Sequence, residues 1–276
     1  MNLFVTGATG FIGKNFINLA LKKNNFIYAP TRKKKKKLLI NKKIKWLFGN
    51  FDINWTKELS KCDLLVHFAA DGVNNYYSKN IYEINVFKSL RLLENAIQSG
   101  CKKWLIVSTS SEYGKNLNKK KTFSLNHNRI PDSDYGLSKA IFTDQSIALA
   151  KKFKCQLRIM RIFPVYGKGE NSKRLFPSII KAIKRKGNIK LHNPFEKRDF
   201  SHVDFVSNII LDSLNFKKKK FKFFQIWNVA ENYPKTVKKF TELIWKKNKA
   251  KGKILFKKNA KNFSTHISNK NSLWKI

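Results

Sequence analysis

Apolar residues fall in short, nearly continuous runs over the first 165 residues: LFVTG (3–7), FIYAP (26–30), KWLFG (45–49), DLLVHFAA (63–70), KWLIVSTS (103–110) and QLRIMRIF (156–163). Runs of this length, rich in leucine, β-branched and aromatic residues, predict strands buried on both faces. Between them the spacing changes. GKNFINLALKKN (13–24), NIYEINVFKSLRLLENAIQSG (80–100) and YGLSKAIFTDQSIALAKKF (135–153) repeat apolar residues at three- and four-residue steps, the period of an amphipathic helix. Buried strands alternating with helices predict an α/β fold, a doubly wound parallel sheet over residues 1–165. After 165, Pro177, Pro194 and Pro234 break the pattern into shorter units. Residues 166–276 are expected to form mainly a smaller C-terminal lobe that binds substrate, with a segment near 198–230 returning to the first domain. The last 30 residues are rich in lysine and asparagine, and the pattern assigns them little.

Charge changes this picture less than its size suggests. With 58 basic and 17 acidic residues the net charge is +41, a field that draws polyanions. The lysines are nonetheless spread along the chain, at 33–37, 119–121, 217–220 and 246–258, and read as solvated loops and faces. No specific nucleic-acid partner is expected. A hydrophobic content of 42% belongs to a folded chain. Cys62, Cys101 and Cys155 stand far apart with no C-x-x-C pair, which predicts buried free thiols in a reducing compartment. No metal site is expected. The chain passes directly from Met1 into a strand and turn, and no apolar run approaches the roughly 20 residues of a membrane helix. The expectation is a cytoplasmic protein without membrane insertion.

Candidate chemistry begins at VTGATGFIGKNF, which spaces Gly7, Gly10 and Gly13 three residues apart between the first strand and a helix. Glycines permit a tight turn there and let backbone N–H groups approach a pyrophosphate at a helix N-terminus. The alternative phosphate loop, G-x-x-x-x-G-K-[ST], fails because Ala8 and Asn15 occupy positions that need glycine and a hydroxyl. A dinucleotide site in a Rossmann-type domain follows. Strand two ends at YAPTR, where an NAD-specific domain usually places an acid for the ribose hydroxyls. Here Thr31 and Arg32 stand instead, and a hydroxyl with a guanidinium accepts a 2′-phosphate. NADP is therefore the expected cofactor, with NAD as the alternative.

STSSEYG (108–114) closes a strand, and DYGLSKA (134–140) opens a helix. Tyr135 and Lys139, four apart, share one helical face. A lysine one turn from a tyrosine favours the phenolate electrostatically, so the phenol can exchange a proton near neutral pH. Thr109, at the end of the neighbouring strand, can orient a substrate carbonyl or alcohol beside it.

Taken in order, VTGATGFIG, LLVHFAA, INVFKSLRLLENA, STSSEYG, YGLSK, RIFPVYGKGE, RDFSHVDFV and WNVAEN resemble the extended short-chain dehydrogenase/reductases of the NAD-dependent epimerase/dehydratase family, which modify nucleotide sugars. The resemblance implies that Tyr135 is the acid/base, Lys139 its partner and a holder of the nicotinamide ribose, and Thr109 the orienting hydroxyl. It also implies cofactor contacts from Gly7, Gly10, Phe11, Ile12, Gly13, Asn50, Phe51, Ala69, Ala70 and Pro164, besides Thr31 and Arg32. Arg198 would clamp the substrate pyrophosphate, and Ser110 and Ser111 would face the substrate. Those two serines occupy the places where the family's dehydratases carry an Asp-Glu pair, and Glu112 lies one step further on, so dehydration is not expected. The implied activity is NAD(P)-dependent epimerisation or reduction of a nucleotide sugar with hydride transfer at C4. The alternatives are an NADPH-dependent 4-keto-6-deoxy reductase and, in another class, a non-catalytic cofactor sensor or nucleic-acid binder. A homodimer formed through the helices that include 80–100 and 135–153 is also implied.

Overall fold

A computed structural model describes residues 1–32, 38–73, 78–115, 122–216, 223–257 and 267–274. In chain order these form β1 (Asn2–Thr6), α1 (Phe11–Lys22), β2 (Phe26–Thr31), β3 (Ile44–Phe48), α2 (Thr56–Leu59), β4 (Leu64–His67), α3 (Ser89–Gln98) preceded by a π-helical turn (Glu83–Lys88), and β5 (Lys103–Thr109). There follow α4 (Asp134–Lys152), β6 (Gln156–Ile162), β7 (Val165–Tyr166), α5 (Leu175–Lys184), β8 (Ile189–Leu191), β9 (Lys197–Arg198), β10 (Ser201–His202) and α6 (Val203–Asp212). The chain then adds β11 (Phe224–Val229), β12 (Lys235–Thr236), α7 (Val237–Lys247) and β13 (Ile254–Phe256). The lysine run at 33–37 lies outside the described residues.

Seven parallel strands form the main sheet in the order β11-β6-β5-β4-β1-β2-β3. The chain winds outward from β1 through β2 to β3, then reverses from β4 through β5 and β6 to β11. The reversal lies between β1 and β4, which pair from Leu3–Leu64 to Thr6–His67. In such sheets ligands bind beyond the carboxyl ends of the strands at this switch point.

The pleat divides the core as the two-residue side-chain period requires. Leu3 and Val5 join Phe16, Ile17, Ile27 and Val206 on the face covered by α1 and α6. Phe4 joins Leu65, Leu92, Trp104, Ile106 and Phe142 on the face covered by α3 and α4. A third cluster, with Ile179, Leu191, Phe200, Phe240 and Trp245, packs α5 and α7 around the short strands. Phe200 and Phe240 stack there at 4.0 Å.

The predicted strands match β1 to β6 within two or three residues at each end. β11 and the C-terminal contacts are additions. Trp274 is buried in the α1/α6 core, where its Nε1 donates to Asp212 at 2.8 Å and its ring meets Trp227 edge-on at 5.6 Å. Cys62, Cys101 and Cys155 are free and buried, and burial pushes the Cys101 thiol up to about 12.

Candidate active site

The glycine turn is built as the spacing requires. Gly7 has φ +66°, and a Cβ there would stand 2.7 Å from the Ala69 nitrogen, so the end of β4 lies directly against it. A Cβ at Gly13 would stand 2.3 Å from the Gly7 carbonyl oxygen. These contacts leave α1 no room to start anywhere but on the turn. The turn presents bare backbone at the switch point, a surface that fits a dinucleotide's phosphates.

Beyond it lies a cavity of about 550 Å³. Gly7, Gly10, Phe11, Ile12 and Gly13 line one side, with Ala70. Thr109, Ser110, Ser111 and Tyr135 line another, and Pro164 and Arg198 a third. Ala69 lies just behind, its N–H donating to Thr6 Oγ1 at 3.3 Å. Phe51 is half-buried, its ring 5.5 Å from that of His67. Thr31 is buried at the end of β2, while Arg32 and Asn50 are exposed. These last three are outside the cavity lining.

Tyr135 reaches the cavity through local sequence. Ser133 caps α4, accepting from the Gly136 N–H at 3.2 Å. A side chain at Gly136 would stand 2.4 Å from the Ser111 carbonyl oxygen, so glycine lets α4 close on the turn after β5. Asn85 fixes the same turn of α4: it donates to Ser138 Oγ and to the Asp71 carbonyl, both at 3.0 Å. Ser138 in turn donates to the Tyr135 carbonyl at 2.9 Å. The residues at 85 and 136 escaped sequence reasoning, although an asparagine inside an apolar helix and a glycine opening one were both visible.

Thr109 ends β5 with its hydroxyl donating to Ser111 Oγ and accepting from the Ser111 N–H, each at 3.1 Å. Lys139 is 2% exposed and donates from Nζ to the Val107 carbonyl at 3.0 Å, directly behind the cavity wall that Val107 lines. Burial lowers its pKa to about 8, against the opposing pull of the Glu112 carboxylate. His67, fully buried between Thr6 Oγ1 at 2.7 Å and Ser89 Oγ at 3.1 Å, is held well below its ordinary pKa by burial and then by Lys139. It is therefore a neutral imidazole.

Glu112 is not a cavity residue. It is fully buried, bonded to Arg161 at 3.0 and 3.1 Å, Arg129 at 3.2 Å, Thr143 at 2.7 Å and Ser108. It cannot replace the acidic pair of a dehydratase. Two other carboxyls do line the cavity and were not foreseen: Glu170, and Glu196, which holds Arg198 in a bidentate pair at 2.6 Å. The guanidinium expected to clamp a pyrophosphate thus already carries a carboxylate partner.

The model of the NAD dependent epimerase/dehydratase family matches residues 3–230. The chain belongs to that family. It is 29% identical over 194 residues to a UDP-glucose 4-epimerase of Vibrio cholerae, a match covering 67% of this chain and 57% of that protein. It is also 29% identical over 217 residues to a GDP-6-deoxy-D-talose 4-dehydrogenase of Aggregatibacter actinomycetemcomitans, covering 76% and 69% respectively. A UDP-glucuronic acid 4-epimerase from Bacillus cereus, solved with UDP-glucuronic acid and NAD, has the same fold. That likeness has a TM-score of 0.83 at 22% identity, over 99% of this chain and 91% of that one.

Proposed function

We propose that this family member is an NAD(P)-dependent nucleotide-sugar epimerase or reductase that works at C4 of the sugar. One observation carries the reading: Tyr135 and Thr109 line the same cavity as the glycine turn, with the Lys139 ammonium behind its wall. A nicotinamide, when bound, supplies the hydride acceptor or donor. The protein's own task is to move a proton and hold the reacting carbon in place. Tyr135 takes the proton of a C4 hydroxyl, or returns one to a C4 carbonyl. General acid–base catalysis of this kind contributes about 10²–10⁴-fold. The buried cation of Lys139 favours the phenolate. The Thr109 hydroxyl, already a donor toward Ser111, orients the sugar oxygen.

Arg32, exposed at the end of β2 with no acid beside it in sequence, supports NADP as the preferred cofactor. Arg32→Ala is expected to raise KM for NADPH about tenfold or more and leave KM for NADH nearly unchanged. Equal effects on both cofactors refute the assignment. Exposed Phe87 and Leu137, on the π-helical turn and α4, support a homodimer through these helices, and light scattering measures it directly. Among the described residues no helix is long and apolar enough to cross a membrane. Three buried free thiols suit a cytoplasmic setting.

Epimerase and reductase separate in one assay. The protein is offered 4-keto and 4-hydroxy nucleotide sugars with NADH and NADPH while reduced-nicotinamide absorbance is followed. Net loss of absorbance with a keto substrate identifies the reductase. Interconversion of C4 epimers at constant absorbance, with cofactor retained through purification, identifies the epimerase.

A further inference from the structure

Glu170 has no part in the chemistry above, yet it occupies the wall of the same cavity. It follows β7 in the loop that leads to α5. Gly169, beside it, lies against Phe11 of the glycine turn: a Cβ there would be 3.7 Å from the ring. On the other side stand Arg174 and Phe176, both of which line the cavity. The Arg174 guanidinium is turned to the Val73 carbonyl at 2.6 Å. Glu170 Oε2 is buried without a hydrogen-bond partner. Burial drives the carboxyl up to about 7, although the charge of Arg174 and a Gly167 backbone hydrogen bond pull it down. A buried carboxyl oxygen without a partner costs stability unless something satisfies it. Perturbed, unsatisfied carboxyls of this kind concentrate where ligands bind.

We propose that Glu170 is a specificity-determining ligand residue whose carboxyl accepts a hydrogen bond from a hydroxyl of the molecule bound in this cavity. The proposal rests on the nucleotide-sugar reading given above. The carboxyl turns about a broad terminal torsion, so either oxygen can be brought to the ligand. The hydroxyl has two sources in reach of the wall between Phe11 and Arg174: a ribose of the dinucleotide, or the hexose. A structural role makes a different forecast. If Glu170 held the loop together, its loss would weaken the fold, whereas a carboxyl whose buried Oε2 is kept for a ligand is removed at little loss of stability.

The test uses the full chain and its Glu170→Gln and Glu170→Ala variants. NADPH and NADH binding are followed by fluorescence. Binding of UDP-, dTDP-, GDP- and CDP-glucose to the protein loaded with NADP or NAD is followed by calorimetry, with the bare nucleoside diphosphates as controls. The ligand-free variants are expected to melt close to the wild-type temperature. Glu170→Ala is expected to weaken one ligand about tenfold or more. If the reduced cofactor is the one weakened, the hydroxyl is a cofactor ribose. If a nucleotide sugar is weakened and its diphosphate is not, the hydroxyl is on the hexose. Unchanged affinities in both variants overturn the proposal, as does a lowered melting temperature with all ligands weakened together. A wild-type chain that binds neither NADPH nor NADH nor any of the four sugars overturns the nucleotide-sugar reading itself, and the role of Glu170 with it.

Discussion

Replacing Lys139 with methionine should stabilise the fold at neutral pH. The ammonium is 2% exposed and donates to one carbonyl, Val107, at 3.0 Å. Burial, partly offset by Glu112, lowers its pKa from the ordinary 10.5 to about 8. At about 1.4 kcal/mol for each tenfold change in proton affinity, keeping the charged form costs about 3 kcal/mol. Methionine matches the stem in length and removes that cost, while losing a hydrogen bond worth about 1 kcal/mol. The expected gain at pH 7 is about 2 kcal/mol. The sign with pH follows from proton binding. Below about 8 the lysine is protonated in both folded and unfolded chains, and the full cost is present. Between about 8 and 10.5 the unfolded chain binds the proton and the folded chain does not, so wild-type stability rises relative to the variant. Urea unfolding of both proteins at pH 7 and pH 10, compared as a difference, cancels the tyrosines and cysteines that also titrate. The advantage of Lys139→Met should shrink by about 2–3 kcal/mol over that range. A variant less stable than wild type at pH 7, or a difference independent of pH, refutes the reasoning.

Glu112→Ala strips the buried charge from Arg161 and Arg129 together and should cost about 3–5 kcal/mol in urea unfolding. A loss under about 1 kcal/mol contradicts the network. Trp274→Ala should cost a similar amount, about 3–5 kcal/mol, through its buried ring and the bond to Asp212. Differential scanning calorimetry measures it, and an unchanged melting temperature shows that the C-terminal contacts carry no weight.

The strands were legible because both faces of the sheet are covered. LFVT, LLVH and WLIVST therefore carry no polar interruption, and the glycines between β1 and α1 announce the turn. β11 was not read as a strand. It lies at the sheet edge with Phe224 to Trp227 half-buried, behind a lysine run that reads as loop. The three- and four-residue apolar steps marked α4 as a helix, but they did not reveal that Ser138, Lys139, Thr143 and Ser146 are buried in it as well. Carboxylates gave the poorest forecast. Glu112, Glu170 and Glu196 sit in polar segments where an acid ordinarily faces water. Glu112 owes its burial to Arg161 and Arg129, brought in from distant segments, which no local pattern records, whereas Arg198 stands only two residues from Glu196. Lys139 is the converse case: its spacing from Tyr135 gave it a role, but only the packing showed how deeply it lies.

The proton-transfer role of Tyr135 is the claim on which the functional reading depends. Tyr135→Phe keeps the ring against Gly72 and removes only the hydroxyl. Its turnover of the best nucleotide sugar should fall by about 10²–10⁴-fold while affinity for the preferred reduced cofactor and melting temperature stay at wild-type values. Full turnover by Tyr135→Phe would contradict the mechanism outright.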